Sequence, residues 1–137
     1  MSRKIIFYVL IVSLIFTTLL LGYSFFIIDE IIILPMELNV NSSYGFNLET
    51  DKLNLGKIVP GGDSSRGFTV SNNKDYPLKV SVIKEGQLAK WIEIGNQTFD
   101  IFPSENKAVM VNVYVPKGTE YGLYTGNIKV ILKKKLI

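Results

Sequence analysis

The chain contains neither cysteine nor histidine. Without cysteine there are no disulfides, thiol nucleophiles or thiolate metal sites. Without histidine the commonest general base near neutral pH, and the commonest transition-metal ligand, are both missing. A Ser-His-Asp relay cannot be assembled, so only Ser-Lys or carboxylate chemistry would remain to an enzyme. The missing thiols say nothing about redox compartment, because a disulfide-free protein can sit on either side of a membrane. Net charge is also scarce in the middle of the chain. The net charge is +3, but Arg3, Lys4, Lys133, Lys134 and Lys135 account for five of the fifteen basic residues, leaving ten against twelve acidic ones. No continuous basic stripe exists, which argues against nucleic-acid binding.

One long stretch lacks charge altogether. From Ile5 to Ile28 runs IIFYVLIVSLIFTTLLLGYSFFII, 24 residues without a single charge. As a helix it would extend about 36 Å, enough to cross a hydrocarbon layer of about 30 Å. Tyr8 and Tyr23 stand near its ends, where amphipathic rings favour the interface. Arg3 and Lys4 precede it, and Asp29 and Glu30 follow, so the rule that basic flanks stay inside puts the N-terminus in the cytoplasm and the remainder outside. The exit GYSFFIIDE has no small-residue cleavage pattern and no lipoprotein cysteine, so an uncleaved single-pass signal anchor at the plasma membrane is expected. The organisation read from the sequence is a basic flank at 1–4, a transmembrane helix at 5–28, a linker or stalk at 29–36 and an extracytoplasmic domain at 37–137. Ile31 to Leu34 fits three readings: a helix extension up to Pro35, a first strand, or a contact surface for a partner.

After Pro35 no segment keeps a helical period. Val109, Val111, Val113 and Val115 alternate with Ala108, Met110, Asn112 and Tyr114, a period of two that Pro116 ends. Leu78, Val80 and Val82 form one side of a second run. Tyr124, Gly126, Ile128, Val130 and Leu132 form one side of a third, and Phe68 and Val70 lie together in a fourth. Weaker candidates are 53–59, 91–94 and 98–102. The breaks GGDSS, NNKDYP, KEGQ, GNQ, PSEN and PKGTEYG are rich in turn formers. Six to eight short strands so spaced predict an all-β, antiparallel immunoglobulin-like sandwich behind one N-terminal transmembrane helix.

The stretch VPGGDSSRGF, Val59 to Phe68, invites an enzymatic reading. Gly62 and Gly67 have the glycine spacing of a phosphate-binding loop, yet Phe68 and Thr69 stand where Lys-Ser/Thr is required, and a strand follows instead of a helix. The G-x-S-x-G elbow is absent. Gly62-Asp63-Ser64 resembles the first block of the GDSL hydrolases over three residues only, and that chemistry requires histidine. The stretch is expected to be a turn. Ser64 and Ser65 remain the exposed candidates for a Ser-Lys pair, but no lysine stands in a plainly apolar context that would lower its pKa. The expectation is no catalytic residue and no small-molecule substrate.

Several segments together resemble the immunoglobulin-like modules of prokaryotic, especially archaeal, cell envelopes. These are LNLGKIVPGGDSSRGFTVSNNKDYPLKVSV, then Trp91-Ile92, PSENKAVMVNVYVP and YGLYTGNIKV. Such modules are similar to the ASPM/SPD-2/Hydin and major-sperm-protein type of sandwich, and the likeness covers roughly Leu53 to Leu132. Tyr124, two residues before Gly126, has the spacing of a tyrosine corner, its ring inward and its hydroxyl on nearby backbone. The family pattern implies a small residue at Gly126, where an antibody domain has cysteine. Trp91, the only tryptophan, is expected against the core. For function the resemblance implies a scaffold or adhesion role, with no catalytic residue carried over.

Remaining signals are local. Asn41-Ser42-Ser43 and Asn96-Gln97-Thr98 are glycosylation sequons, so Asn41 and Asn96 are possible modification sites on an exported domain. Asp51, Asp63 and Asp75 do not fall in a calcium-loop spacing, and no cofactor or metal is expected. Lys133 to Lys135 read as a solvated strand end that discourages edge pairing, against attraction to anionic glycans or lipid headgroups. The expected function is that of a non-enzymatic envelope protein whose exported domain makes structural or adhesive contacts with an envelope protein partner or with itself. A narrower alternative is a stator-like or pilin-like part of an archaeal surface appendage. Lys4-Ile5 lacks the glycine or alanine that follows the basic cleavage site of a processed pilin.

Overall fold

A helix that is apolar on every side begins the chain. The computed structural model describes residues 2–43 and 52–136. Helix α1, Arg3–Ile27, has no buried residue and a mean hydropathy of 2.6 over its most apolar window. It is long and apolar enough to cross a membrane. Three of its hydroxyls bond within the helix: Thr17 Oγ1 donates to Ser13 O and Thr18 Oγ1 to Leu14 O, both at 2.8 Å, and Ser24 Oγ to Leu20 O at 3.3 Å. Such back-bonding is what a helix without water requires of hydroxyls.

The helix ends where Ile28 turns extended, at φ −80° and ψ 112°, and strand β1, Ile28–Val40, starts at that residue. Residues 29–36, expected as a linker, are therefore strand, and of the three readings of Ile31 to Leu34 the first strand is the one observed. Pro35 is accommodated because β2 pairs with β1 only from Met36 onward. At Pro35 the strand is still an edge, where a missing N–H is tolerated.

The remaining elements are β2 (Leu53–Ile58), β3 (Asp63–Ser71), β4 (Leu78–Gly86), a 3₁₀ helix (Gln87–Trp91), β5 (Ile92–Ile94), β6 (Thr98–Ile101), β7 (Asn106–Tyr114) and β8 (Gly122–Lys134). They form a five-stranded sheet in the order β2-β1-β8-β4-β6 and a three-stranded sheet in the order β3-β7-β5. The fold is thus mostly β in two sheets, with one N-terminal apolar helix. It is not wholly antiparallel, because β1 and β2 run parallel. The twelve residues between Val40 and Leu53 suffice for the crossover that a parallel pair requires.

Alternation places the core. Met36, Leu38 and Val40 of β1, Leu78, Val80 and Val82 of β4, and Ile128, Val130 and Leu132 of β8 are buried from the large sheet. Val109, Val111 and Val113 of β7, with Ile92 and Ile94 of β5, are buried from the small one. Both sets belong to one cluster. Each fully buried aliphatic side chain stabilises by about 1.5–3 kcal/mol. The 3₁₀ helix adds Leu88, also fully buried. The one buried polar residue among those described, Asn72, organises the NNKDYP turn. Its Nδ2 donates to Tyr76 O (2.9 Å) and Ile101 O (3.1 Å), and its Oδ1 accepts from Lys74 N (3.0 Å).

Candidate functional site

The stretch Val59 to Phe68 divides into a turn and a strand. Gly62 N donates to Val59 O at 2.9 Å, and Gly61 has φ +83°. Pro60 and Gly61 therefore occupy the two central positions of a type II turn. Asp63, Ser64 and Ser65 are already the first residues of β3. On the outer face of the small sheet, Asp63 pairs with Tyr114 and Ser65 with Asn112, while Glu93 pairs with Asn112 from the other side. With Lys90 and Trp91 these residues line an open concavity of about 350 Å³.

The hydroxyl of Ser65 is committed to Asn112 Oδ1. Lys90, the lysine in the same concavity, is exposed and holds its Nζ 5.6 Å from the Trp91 ring centre. Ser65 thus donates to an amide, not to a lysine. Among the described residues no three carboxylates come together where a metal ion would sit. Asp63 opens β3 and Asp75 lies in the turn between β3 and β4, and Asp51 lies outside the described residues.

Tyr124 and Trp91 come together at the edge of the core. Tyr124 Oη donates to Glu120 O at 2.9 Å, and its ring lies 4.8 Å from that of Trp91, tilted by 53°. Both rings are partly buried against the core cluster. A Cβ at Gly126 would stand 2.8 Å from Glu85 O and 3.1 Å from Met36 Cε. A second concavity, of about 300 Å³, lies beside this glycine, lined by Pro35, Gly86 and Asn127 and by the Lys52–Glu37 ion pair.

The two sequons differ in setting. Asn96 is exposed in the turn between β5 and β6. Asn41 is half-buried, and its Oδ1 accepts from Ser42 N at 2.7 Å.

A further cluster forms where the helix meets the large sheet. The Asp29 side chain is 15 % exposed, with Oδ1 accepting from Tyr76 Oη at 2.5 Å and Oδ2 lying 3.8 Å from Lys74 Nζ. The carboxylate hydrogen bond, reinforced by desolvation and the charges of Asp29 and Asp75, raises the Tyr76 phenol above its ordinary value. Lys134 Nζ sits 4.5 Å over the Tyr76 ring. Lys135 Nζ donates to Asp100 Oδ2 at 2.6 Å, a bond that holds Asp100 below the usual carboxylate range despite some desolvation. No local pattern marks these partners, since Asp29 and Tyr76 are separated by 47 positions. No family model, no curated protein and no solved structure matches the chain.

Proposed function

We propose that this is a non-enzymatic, membrane-anchored envelope protein. Helix α1 crosses the plasma membrane once, with Arg3 and Lys4 in the cytoplasm. The two sheets form an immunoglobulin-like sandwich outside, which makes structural or adhesive contacts with an envelope protein or with other copies. The observation that carries this reading is the junction. A helix exposing apolar side chains all round passes, with no intervening residue, into a strand flanked by β2 and β8. A sandwich joined in this way stands directly on the bilayer. Thirteen residues of β1 rise about 43 Å, so partners are to be sought within that height. The test is protease added to sealed cells, with crosslinking and mass spectrometry of captured neighbours. Cleavage of the β-domain in intact cells is expected; digestion only after lysis would reverse the topology.

The same junction favours a narrower second reading, a stator-like part of a surface appendage. A flexible stalk would dissipate force, whereas a strand continuous with the anchor transmits it. Co-purification with filament bases, as opposed to a surface layer, separates the two.

A further inference from the structure

The antiparallel pairing of β8 with β1 returns a lysine-rich strand end to the foot of the helix. Ile28, the residue after α1, is paired with Lys133. Lys133 is in turn paired with Lys79 of β4, and Lys79 with Asp100 of β6. Across the large sheet, next to the helix end, the row therefore reads Ile28, Lys133, Lys79, Asp100.

Two like charges directly opposite on neighbouring strands repel and destabilise the pair. The carboxylate that ends the row offsets only part of this charge: Asp100 attracts Lys79 but is hydrogen-bonded to Lys135, and no acid stands opposite Lys133. The other acids at this end are Asp29, Glu30 and Asp75. Asp29 is turned inward to Tyr76 and Lys74, and Glu30 and Asp75 are exposed. Lys134 is exposed as well, its ammonium lying over the Tyr76 ring and not on a carboxylate.

We propose that Lys133 and Lys79, assisted by Lys134, bind the phosphate groups of the bilayer in which α1 is anchored, so that the sheet is seated on anionic lipid. The proposal rests on the anchor reading and adds a lipid-binding surface to it. Geometry supplies the occupant: paired with the first residue beyond the helix, Lys133 stands at headgroup level once α1 spans the hydrocarbon. A lipid phosphate there relieves the Lys133–Lys79 repulsion. Near an anionic surface each lysine gains an attraction equivalent to about fivefold in binding, which salt weakens.

The test uses the full chain in nanodiscs of phosphatidylcholine alone, or with about a third phosphatidylglycerol to set the surface potential. Amine acylation is followed residue by residue by mass spectrometry. Lys57, exposed and paired with Asn39, lies about 36 Å further along β1 from Ile28 and serves as the internal reference. Expected is acylation of Lys133 and Lys79 slowed about fivefold in the anionic discs relative to Lys57, with the difference lost in high salt. Lys79→Gln should raise the melting temperature in phosphatidylcholine discs and raise it less in anionic ones. Equal acylation in both discs, or an equal gain in both, overturns the lipid contact and leaves the anchor standing. Failure of the chain to enter discs at all removes the anchor, and this proposal with it.

Discussion

Tyr76 donates its hydroxyl to the Asp29 carboxylate at 2.5 Å, joining the second residue past the helix to the turn that precedes β4. The bond closes the junction between α1 and the large sheet. Asp29 is mostly shielded, and its second oxygen has no hydrogen-bond partner. Removing the tyrosine hydroxyl would leave the whole carboxylate poorly solvated. Tyr76→Phe is therefore expected to lower the melting temperature and to raise proteolytic nicking near 28–30.

The same bond has a pH signature. Tyr76 holds its proton more tightly in the folded state. Its contribution is complete below the ordinary tyrosine value of about 10 and is lost as pH rises through the higher folded value. Tyrosinate absorbance in an alkaline titration should show a late-ionising component that Tyr76→Phe abolishes. An unchanged titration in the variant would refute the assignment.

At the other end of the pH scale stands Asp100, held down by Lys135. A depressed carboxyl contributes stability above the ordinary aspartate value of about 3.9 and loses it as pH falls through the folded value. Lys135→Gln should return the Asp100 carboxyl towards its ordinary range, as read from its side-chain carbon resonance. Since Lys135 is well exposed, high salt should produce part of the same change.

Gly126 is hemmed in by backbone. A methyl there meets Glu85 O at 2.8 Å and Leu88 Cβ at 3.3 Å, contacts that a flexible side chain could not relieve. Gly126→Ala is expected to cost about 1–3 kcal/mol by overpacking. Gly86, its cross-strand partner, has φ +88° and would bring a Cβ to 2.9 Å from Gly126 Cα. Gly86→Ala should cost more, because its positive-φ, extended backbone (φ +88°, ψ −165°) is essentially open only to glycine and adds about 1–3 kcal/mol of strain. Denaturant midpoints of the two variants measure both.

Tyr124 separates ring from hydroxyl. Tyr124→Phe retains the packing on Trp91 and loses the bond to Glu120 O, an expected loss of about 0.5–1.5 kcal/mol. Tyr124→Ala also removes the aromatic pair, worth about 0.5–1.5 kcal/mol beyond area burial. Equal losses for the two variants would mean that the ring contact contributes nothing.

How far the sequence was legible depended on period. β4, β7 and β8 alternate cleanly, because one face of each is buried and the other is solvated, and their boundaries could be read from Leu78, Val109 and Ile128 outward. β1 could not be read. Ile31, Ile32 and Ile33 are all exposed, so alternation begins only at Met36, and Pro35 suggests an interruption that the open edge makes harmless. The parallel β1–β2 pair was equally hidden, since pairing direction leaves no trace in hydropathy. Asn72 looked like one more turn residue, although its amide holds three backbone groups. The concavity at Ser65 and Asn112 depends on strand register between distant segments, which local pattern does not encode.

The absence of any residue between α1 and β1 also governs how copies would meet. Flexible tethers let a domain tumble, and each encounter must then freeze that tumbling, at a cost. Here a bilayer would hold every copy upright and free only to spin about the normal and drift sideways. Surfaces too weak to associate in free solution could then suffice to build ordered arrays in two dimensions.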